Sequence, residues 1–267
     1  MSKHTTRTLT TRSVAATLAL AAVLGSPTVA HAASVADELG SPWQAGGAVA
    51  RTAGRLFFTV DGERRTCSAN VVASTNGDVI MTAAHCAFGS DYEFVPGYHH
   101  GAAPFGRWRV EHVFAPEVPA LDADFAAMTL EEHDGTSVQD VVGGSAVAFT
   151  GTVTSERIAA FGYPRERTNA PDRPYGGEQL VHSEGPRIDA VLGRVGVASD
   201  MGSGVSGGPL FADFDPSTGE GVQVAAVSGS PCALPGDDGG CDEAALETQG
   251  VAFDDRARAL YDRAARA

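Results

Sequence analysis

The sequence has little lysine and no long apolar run, and each shortage excludes a class of protein. Lys3 is the only lysine, and the 19 basic residues are outnumbered by 33 acidic ones, giving a formal net charge of −14. Because an acidic surface repels phosphate backbones, we expect no nucleic-acid partner. After residue 32 no apolar run reaches the roughly 18 residues of a membrane-spanning helix, so we expect no membrane anchor.

Cysteine is also scarce. The four cysteines are Cys67, Cys86, Cys232 and Cys241, and no two of them form a Cys-x-x-Cys pair. Zinc ligation is therefore disfavoured, and the four residues allow three disulfide pairings. The acidic stretch 236–243 has side chains that suit calcium, although a solvated loop is the more frequent explanation. We expect no metal and no cofactor.

The first 32 residues are predicted to be a signal peptide. A basic leader with Lys3, Arg7 and Arg12 precedes an apolar run at 14–24 and an Ala-His-Ala cleavage site at 30–32. The arginines are not adjacent, which favours general secretion over twin-arginine export. Removing this segment removes three positive charges and no acids, so the net charge becomes −17. We expect a secreted protein, in a compartment where disulfides persist.

The remaining chain is typical of an all-β fold with a terminal helix. Many short β-type runs are joined by turns, and Asp61-Gly62 and Asn76-Gly77 are hairpin signals because both positions tolerate positive φ. From Asp254 onward apolar residues recur at helical spacing, with acids in the first turn and arginines in the last. We expect residues 33–54 to be a propeptide or an N-terminal arm. Two β domains would follow at 55–140 and 141–253, and a helix at 254–267 would end the chain.

Three motifs carry candidate chemistry. Gly-Val-Ser-Gly-Gly-Pro at 204–209 places a serine among glycines, whose backbone freedom can turn several N–H groups into one pocket. Alone it would be an ordinary turn, since a serine needs a base and oxyanion donors to act as a nucleophile. Ala-Ala-His-Cys at 83–86 supplies the base, and Asp124 stands at the head of the apolar run 125–130.

The chain order His, Asp, Ser and these motifs resemble the trypsin/chymotrypsin-like serine proteases. More narrowly, the sequence looks like the secreted trypsin-like and V8-like proteases of bacteria, from about Arg55 to the end. The resemblance implies two antiparallel six-stranded β-barrels with the active site between them. The first barrel would carry His85 and Asp124, and the second would carry Ser206.

The resemblance also implies a role for each site residue. Ser206 would be the nucleophile and His85 the general base, while the N–H groups of Gly204 and Ser206 would form the oxyanion pocket. Asp124 would orient the histidine, in preference to Asp122, because Asp124 directly precedes the apolar strand.

A disulfide pairing and a supporting serine follow from the same resemblance. Cys67 would pair with Cys86, tying the histidine loop to an earlier strand, and Cys232 would then pair with Cys241. Ser228 matches the serine that supports the triad aspartate and begins the substrate-pairing segment; the alternative is an ordinary serine at a strand end.

Specificity and activation are predicted from three positions. Asp200, six residues before Ser206, has the spacing of the pocket-floor acid in trypsin-like members, which predicts Arg or Lys before the scissile bond. The alternative for Asp200 is a loop acid that faces solvent or a backbone amide. V8-like glutamyl specificity is the runner-up, although Val227 stands where those enzymes carry a histidine. Val205 replaces the aspartate that pairs with the freed N-terminal amine in digestive members, so activation should not need that amine.

We therefore expect a serine endopeptidase that hydrolyses protein or peptide substrates as a monomer. A different class of function remains as an alternative, namely a catalytically silent binding protein on the same fold. Against it, the three triad positions and the oxyanion glycine are all present.

Overall fold

The computed structural model describes Met1 and residues 39–118, 120–169, 171–229 and 246–267. The predicted signal peptide at 1–32, apart from Met1, lies outside the described residues. So do Cys232, Cys241 and the acidic stretch 236–243.

Six antiparallel strands close into the first barrel, in the order β2-β3-β4-β7-β6-β5. Their inward side chains form one apolar core that includes Leu56, Phe94, Trp108 and Met128. The strands are β2 (Ala53–Val60), β3 (Glu63–Val71), β4 (Val79–Thr82), β5 (Ser90–Pro96), β6 (Trp108–Phe114) and β7 (Ala126–Leu130).

The predicted Asp-Gly hairpin joins the first two strands of this barrel. Val60 pairs with Glu63, so Asp61 and Gly62 form a two-residue turn, with φ of 51° and 80°. Positive φ at both positions matches the right-handed twist of the flanking strands. This turn sets the register that places Cys67 opposite Leu56, inside the barrel.

In the described residues the second domain is a curled open sheet rather than a closed six-stranded barrel. Its order is β1-β10-β9-β13-β14-β15-β12-β11, and β8 pairs with β14. Because the edge strands β1 and β11 have only two residues each, they offer too few backbone groups to close it. The strands are β1 (Ser41–Pro42), β8 (Ala146–Val147), β9 (Arg157–Gly162), β10 (Val181–Pro186), β11 (Ile188–Asp189), β12 (Arg194–Ala198), β13 (Pro209–Asp215), β14 (Glu220–Gly229) and β15 (Glu247–Ala252).

The segment predicted as a propeptide or N-terminal arm is part of the fold where it is described. Ser41 and Pro42 pair with β10 of the second sheet, and helix α1 (Val49–Thr52) then leads directly into β2. The chain therefore reaches the first barrel only after contacting the second sheet.

Two further helices complete the architecture. Helix α2 (Val138–Val142) begins with a capping box formed by Ser137 and Asp140. Helix α3 (Asp255–Ala264) is capped by Asp254, whose side chain accepts from two backbone N–H groups. Within the described ranges, no helix has the length and apolar character needed to cross a membrane. The all-β fold with a C-terminal helix that the sequence predicts is confirmed.

The barrel and the open sheet share an apolar interface. One buried cluster combines Val79 and Phe125 of the first barrel with Ala226 and Phe253 of the sheet, and Leu260 of α3 packs on it. This interface brings the ends of β4, β7 and β14 together, and the candidate site lies where they meet.

Candidate active site

His85 lies on a short 3₁₀ turn (Ala84–Cys86) directly after β4. A disulfide joins Cys86 to Cys67 of β3, as the sequence analysis expected. The backbone amide of His85 donates to Asp124 Oδ1 at 2.9 Å, and its Nδ1 lies 2.8 Å from Asp124 Oδ2. Because Nδ1 faces a carboxylate, we assign its proton there, which leaves Nε2 as a proton acceptor. The side chain is 43% exposed and therefore open to a ligand.

Asp124 is held in place immediately before β7 by the residues around its carboxylate. Besides the two contacts from His85, Oδ2 accepts a hydrogen bond from Ser228 Oγ at 2.5 Å. Burial raises the pKa of Asp124, but the hydrogen bonds and charge of His85, with the bond from Ser228, together lower it below the ordinary 3.8. The carboxylate is therefore ionised at neutral pH, where it can stabilise an imidazolium.

Asp122, two residues before Asp124, has a different partner. Its carboxylate pairs with Arg256 of α3 at 3.1 Å and is half exposed. Of the two aspartates in the motif, only Asp124 contacts His85.

The loop that carries Ser206 is packed against the segment that precedes His85. The Ser206 carbonyl accepts from Ser68 N–H at 2.7 Å, and Gly207 N–H donates to Val227 at 2.7 Å. Gly207 has a φ of 82°, and a Cβ there would lie 2.1 Å from Thr82 Oγ1 and 3.0 Å from Ala83 N. Only glycine permits this approach, which brings the loop beside the histidine turn.

Gly204 begins the loop in a conformation that few other residues adopt, with a φ of 101°. A Cβ at this position would lie 2.7 Å from the Tyr163 carbonyl. Neither Gly204 N–H nor Ser206 N–H donates to another of the described residues. Two such donors on one loop are suited to an external oxyanion.

Ser68 is a site residue that the sequence analysis missed. Its hydroxyl donates to the Gly204 carbonyl at 2.9 Å and accepts from Tyr163 N–H at 2.8 Å, and its own N–H holds the Ser206 carbonyl. A serine beside a disulfide cysteine has no recognisable motif, so only the fold brings it to this loop.

Asp200 is placed differently from the other predicted residues. Its side chain is 0% exposed. Oδ2 lies 2.5 Å from Nη1 of Arg167, and Oδ1 lies 2.6 Å from the Tyr175 hydroxyl. The predicted role of Asp200 in substrate binding stays a prediction, and in this structure both carboxylate oxygens are already bonded within the chain.

Arg194 of β12 is a second residue near the candidate site that no sequence motif reveals. This buried cation donates to Gln249 Oε1 and to the Leu121 carbonyl, both at 3.3 Å. Burial lowers the pKa of Arg194, and the negative charge of Asp124 partly opposes that shift. Arg194 therefore belongs to the electrostatic surroundings of Asp124.

Among the described residues, one group has metal-binding atoms close together, namely Cys67, His85 and Cys86. Both sulfurs belong to the disulfide, so no thiolate is available as a ligand. This group does not fit a metal.

A cavity of about 570 Å³ lies elsewhere, and Arg51, Asp213 and Glu220 are among the residues that line it. None of its lining residues belongs to the candidate site. We assign no substrate to it.

Known proteins share the fold and part of the sequence. The sequence profile of the Trypsin family matches residues 35–241. The crystal structure of the protease Anisep from Arthrobacter nicotinovorans has 27% identity and a TM-score of 0.69, covering 81% of this chain and 96% of its own. The thermostable serine protease AL20 from an extremophilic microorganism has 27% identity and a TM-score of 0.69, covering 82% and 99%.

A Glu endopeptidase shares the fold at 16% identity, with a TM-score of 0.62 and coverage of 86% of this chain and 98% of its own. No curated protein matches the chain.

Proposed function

This chain belongs to the trypsin family and is a serine endopeptidase, and on that premise we propose that Ser206, His85 and Asp124 form its catalytic triad. Ser206 is the nucleophile, His85 the general base, and Asp124 the carboxylate that orients the histidine. The substrates are proteins or peptides.

One observation carries this proposal. The chain of contacts Ser228 Oγ to Asp124 Oδ2 and Asp124 Oδ2 to His85 Nδ1 fixes the imidazole in the orientation that a general base needs. With Nδ1 committed to Asp124, Nε2 is the nitrogen free to accept the serine proton. The packing of Gly207 against Thr82 and Ala83 supports a position for Ser206 beside that nitrogen.

The reaction follows from these roles. Ser206 Oγ attacks the scissile carbonyl carbon while His85 Nε2 takes its proton, and Asp124 stabilises the imidazolium. The imidazolium then gives that proton to the leaving amine, which breaks the peptide bond and leaves an acyl-enzyme. Water attacks the acyl group by the same proton transfers and releases Ser206.

We assign oxyanion stabilisation to the N–H groups of Gly204 and Ser206. Removing one such donor typically lowers turnover by about 10²–10³-fold. Ser68 supports both residues through their carbonyl groups, so it acts on the oxyanion pocket through the backbone.

A fluorophosphonate probe tests the nucleophile directly, because it captures only an activated serine. Wild type should be labelled at Ser206, and Ser206→Ala should lose both labelling and turnover, the latter by about 10⁶-fold. Ser203→Ala is the matched control, since Ser203 is an exposed serine on the same loop. Labelling that survives Ser206→Ala would mean that another serine is the nucleophile. Folded wild type that is never labelled would favour the silent binding protein.

Secretion is a further part of the proposal. The signal-peptide pattern at 1–32 and the Cys67–Cys86 disulfide both support export to an oxidising compartment. N-terminal sequencing of protein from the culture medium should give a sequence that begins after residue 32. Recovery of the uncleaved chain only inside cells would contradict this.

Primary specificity for arginine or lysine would require a free Asp200 carboxylate, and its oxygens are bonded to Arg167 and Tyr175. Glutamyl specificity has no support either, because Val227 stands where V8-like enzymes carry a histidine. We therefore propose neither preference.

A further inference from the structure

The residues that lead into the Ser206 loop are paired with a neighbouring segment. Thr168 N–H donates to the Asp200 carbonyl at 2.9 Å, and Gly202 N–H donates to the Glu166 carbonyl at 3.0 Å. Arg165 N–H donates to the Ser203 carbonyl at 2.6 Å. We call this antiparallel pairing of residues 165–168 with 200–203 the loop ladder. It ends one residue before Gly204, the first of the two oxyanion donors.

Side-chain contacts stabilise the end of the loop ladder that lies farther from Gly204. Arg167 reaches across it to bind Asp200, and its guanidinium lies over the ring of Tyr175, 4.1 Å from the centroid. The Tyr175 hydroxyl lies 2.6 Å from Asp200 Oδ1 and 2.9 Å from the Gly40 carbonyl. Its single proton favours the carboxylate, which is the stronger acceptor.

Asp200 depends on these two partners because its carboxylate has no access to water. An ionised carboxylate that is fully buried needs a counter-ion and further hydrogen bonds. Arg167 is the only cation within 4.0 Å of Asp200 among the described residues. Arg167 thus meets the charge requirement and Tyr175 meets the remaining hydrogen-bond requirement.

We propose that Arg167 and Tyr175 are positioning residues, which fix Asp200 and thereby hold the loop ladder and the Gly204 and Ser206 N–H groups in their catalytic positions. Asp200 is then an internal anchor, and its carboxylate binds no substrate side chain. This inference rests on the proposed function, because it assigns those N–H groups to the oxyanion.

The first test removes the anchor and measures turnover on an uncharged peptide reporter. Arg167→Met removes the positive charge and keeps a side chain of similar length. It should lower kcat by about 10–100-fold, which does not exceed the decrease expected when an oxyanion donor is removed entirely. KM should change little, because the ground-state carbonyl gains little from the oxyanion donors. Arg167→Lys should restore part of the lost kcat, and Tyr175→Phe should show a smaller loss in the same direction.

Arg157→Met is the matched control. Arg157 lies on β9 of the same sheet and pairs with Glu184 at 3.1 Å on the exposed surface, away from the loop ladder. This variant should retain wild-type kcat. If Arg167→Met does not fold, Tyr175→Phe decides the test, because it keeps both charges and removes a single hydroxyl.

The second test separates an anchor from a substrate-binding acid. Arginine, glutamate and phenylalanine reporters are compared on wild type and Asp200→Asn. The proposal expects kcat to fall by a similar factor for all three, so that their ratios are unchanged. A loss confined to the arginine reporter would overturn it. So would variants at Arg167 and Tyr175 that keep wild-type kcat while their melting temperature falls.

Failure of the proposed function is visible separately. Wild type that is folded but not labelled by the fluorophosphonate probe would overturn the triad assignment and this inference together. Normal labelling with unchanged kcat in the anchor variants would overturn this inference alone.

Discussion

At the scale of single residues, opposing electrostatic effects act on the pKa of Asp124. Burial acts to raise its pKa, whereas His85 and Ser228 lower it by stabilising the ionised form. The lowering effects prevail, so the folded protein binds this proton more weakly than the unfolded chain does. The stability of the protein is therefore linked to pH through Asp124.

The sign of that linkage gives a prediction for Asp124→Asn. Ionised Asp124 stabilises the fold fully above 3.8, the ordinary pKa, and this contribution is lost as the pH falls through the lower folded pKa. The difference in unfolding free energy between wild type and Asp124→Asn should therefore shrink on acidification below pH 3.8. Denaturant unfolding at a series of pH values measures it, with Ser206→Ala present in both chains to prevent self-cleavage.

If the difference in unfolding free energy between wild type and Asp124→Asn does not depend on pH, the lowered pKa of Asp124 is contradicted. In the active background, Asp124→Asn should also lower kcat by about 10⁴-fold, because the histidine tautomer is no longer fixed.

Ser68→Ala tests the serine that supports the two residues proposed to bind the oxyanion. The change leaves the buried Tyr163 N–H without its acceptor, which typically costs about 1–3 kcal/mol of stability. It also removes the hydrogen bond that Ser68 Oγ donates to the Gly204 carbonyl. Because Gly204 is a proposed oxyanion donor, we expect a lower kcat on every reporter with little change in KM. Thermal unfolding and steady-state kinetics measure the two effects. Ser90→Ala, at an exposed serine of the same barrel, is the control, and equal behaviour of the two variants would contradict a role for Ser68.

The sequence proposes His85, Asp124 and Ser206 as the triad because each stands in a short local motif. It could not identify Ser68, Arg167 or Tyr175, whose partners lie far away along the chain. Ser68 and Gly204 are separated by 136 residues, and Arg167 and Asp200 by 33. The partner of Asp200 decides whether that acid is free, so the sequence alone left its role open.

At the scale of elements, local signals predict turns better than strand register. The Asp61-Gly62 hairpin is present because positive φ is encoded by the two residues themselves. Strand β6 shows the limit. In a regular strand Trp108 and His112, four residues apart, would share a face, but the register shifts between Val110 and His112, and His112 is exposed. Such a bulge depends on the partner strand β7, which the pattern within β6 does not contain.

The disulfide is the element-level feature with the clearest energetic prediction. Cys67 and Cys86 are 19 residues apart, so the chain-entropy model gives about 3 kcal/mol of stabilisation for their bond. Replacing both by alanine should lower the melting temperature by roughly 6–12 °C in a chain of this size. Calorimetry in the Ser206→Ala background measures the change.

The second domain could be predicted only in outline. Three of its strands, β1, β8 and β11, have only two residues each, and the number and order of the strands depend on long-range pairing, as in β1 with β10. The expectation of a second closed barrel came from family resemblance, and the described residues form an open sheet instead.

At the scale of the whole molecule, the N-terminal segment is built into the second sheet. The Leu39 carbonyl accepts a hydrogen bond from Ser183, and Trp43 N–H donates to the Leu180 carbonyl. The Gly40 carbonyl contacts Tyr175. This segment is therefore held by its backbone, without any need for a terminal charge.

Val205, the residue before the proposed nucleophile Ser206, leads to the last prediction, that activity does not depend on a free N-terminal amine. Val205 is 3% exposed and packs in an apolar cluster with Ala160 and Leu210. An ammonium buried there would lack a carboxylate partner and would cost several kcal/mol. Asp200 cannot serve as that partner, because Arg167 and Tyr175 already bind its oxygens.

The test compares three chains, which begin at Ala33, at Ala33 with one extra residue before it, and at Leu39. Their kcat/KM values should be comparable, both before and after acetylation of the N-terminal amine. Steady-state kinetics on one reporter compares them, with each N-terminus verified by mass spectrometry. If Leu39 chains are active in both forms and Ala33 chains are not, residues 33–38 inhibit and the amine is still dispensable. Activity that requires one defined N-terminus and disappears on acetylation would show that a buried ammonium organises the site, and that the packing around Val205 changes on activation.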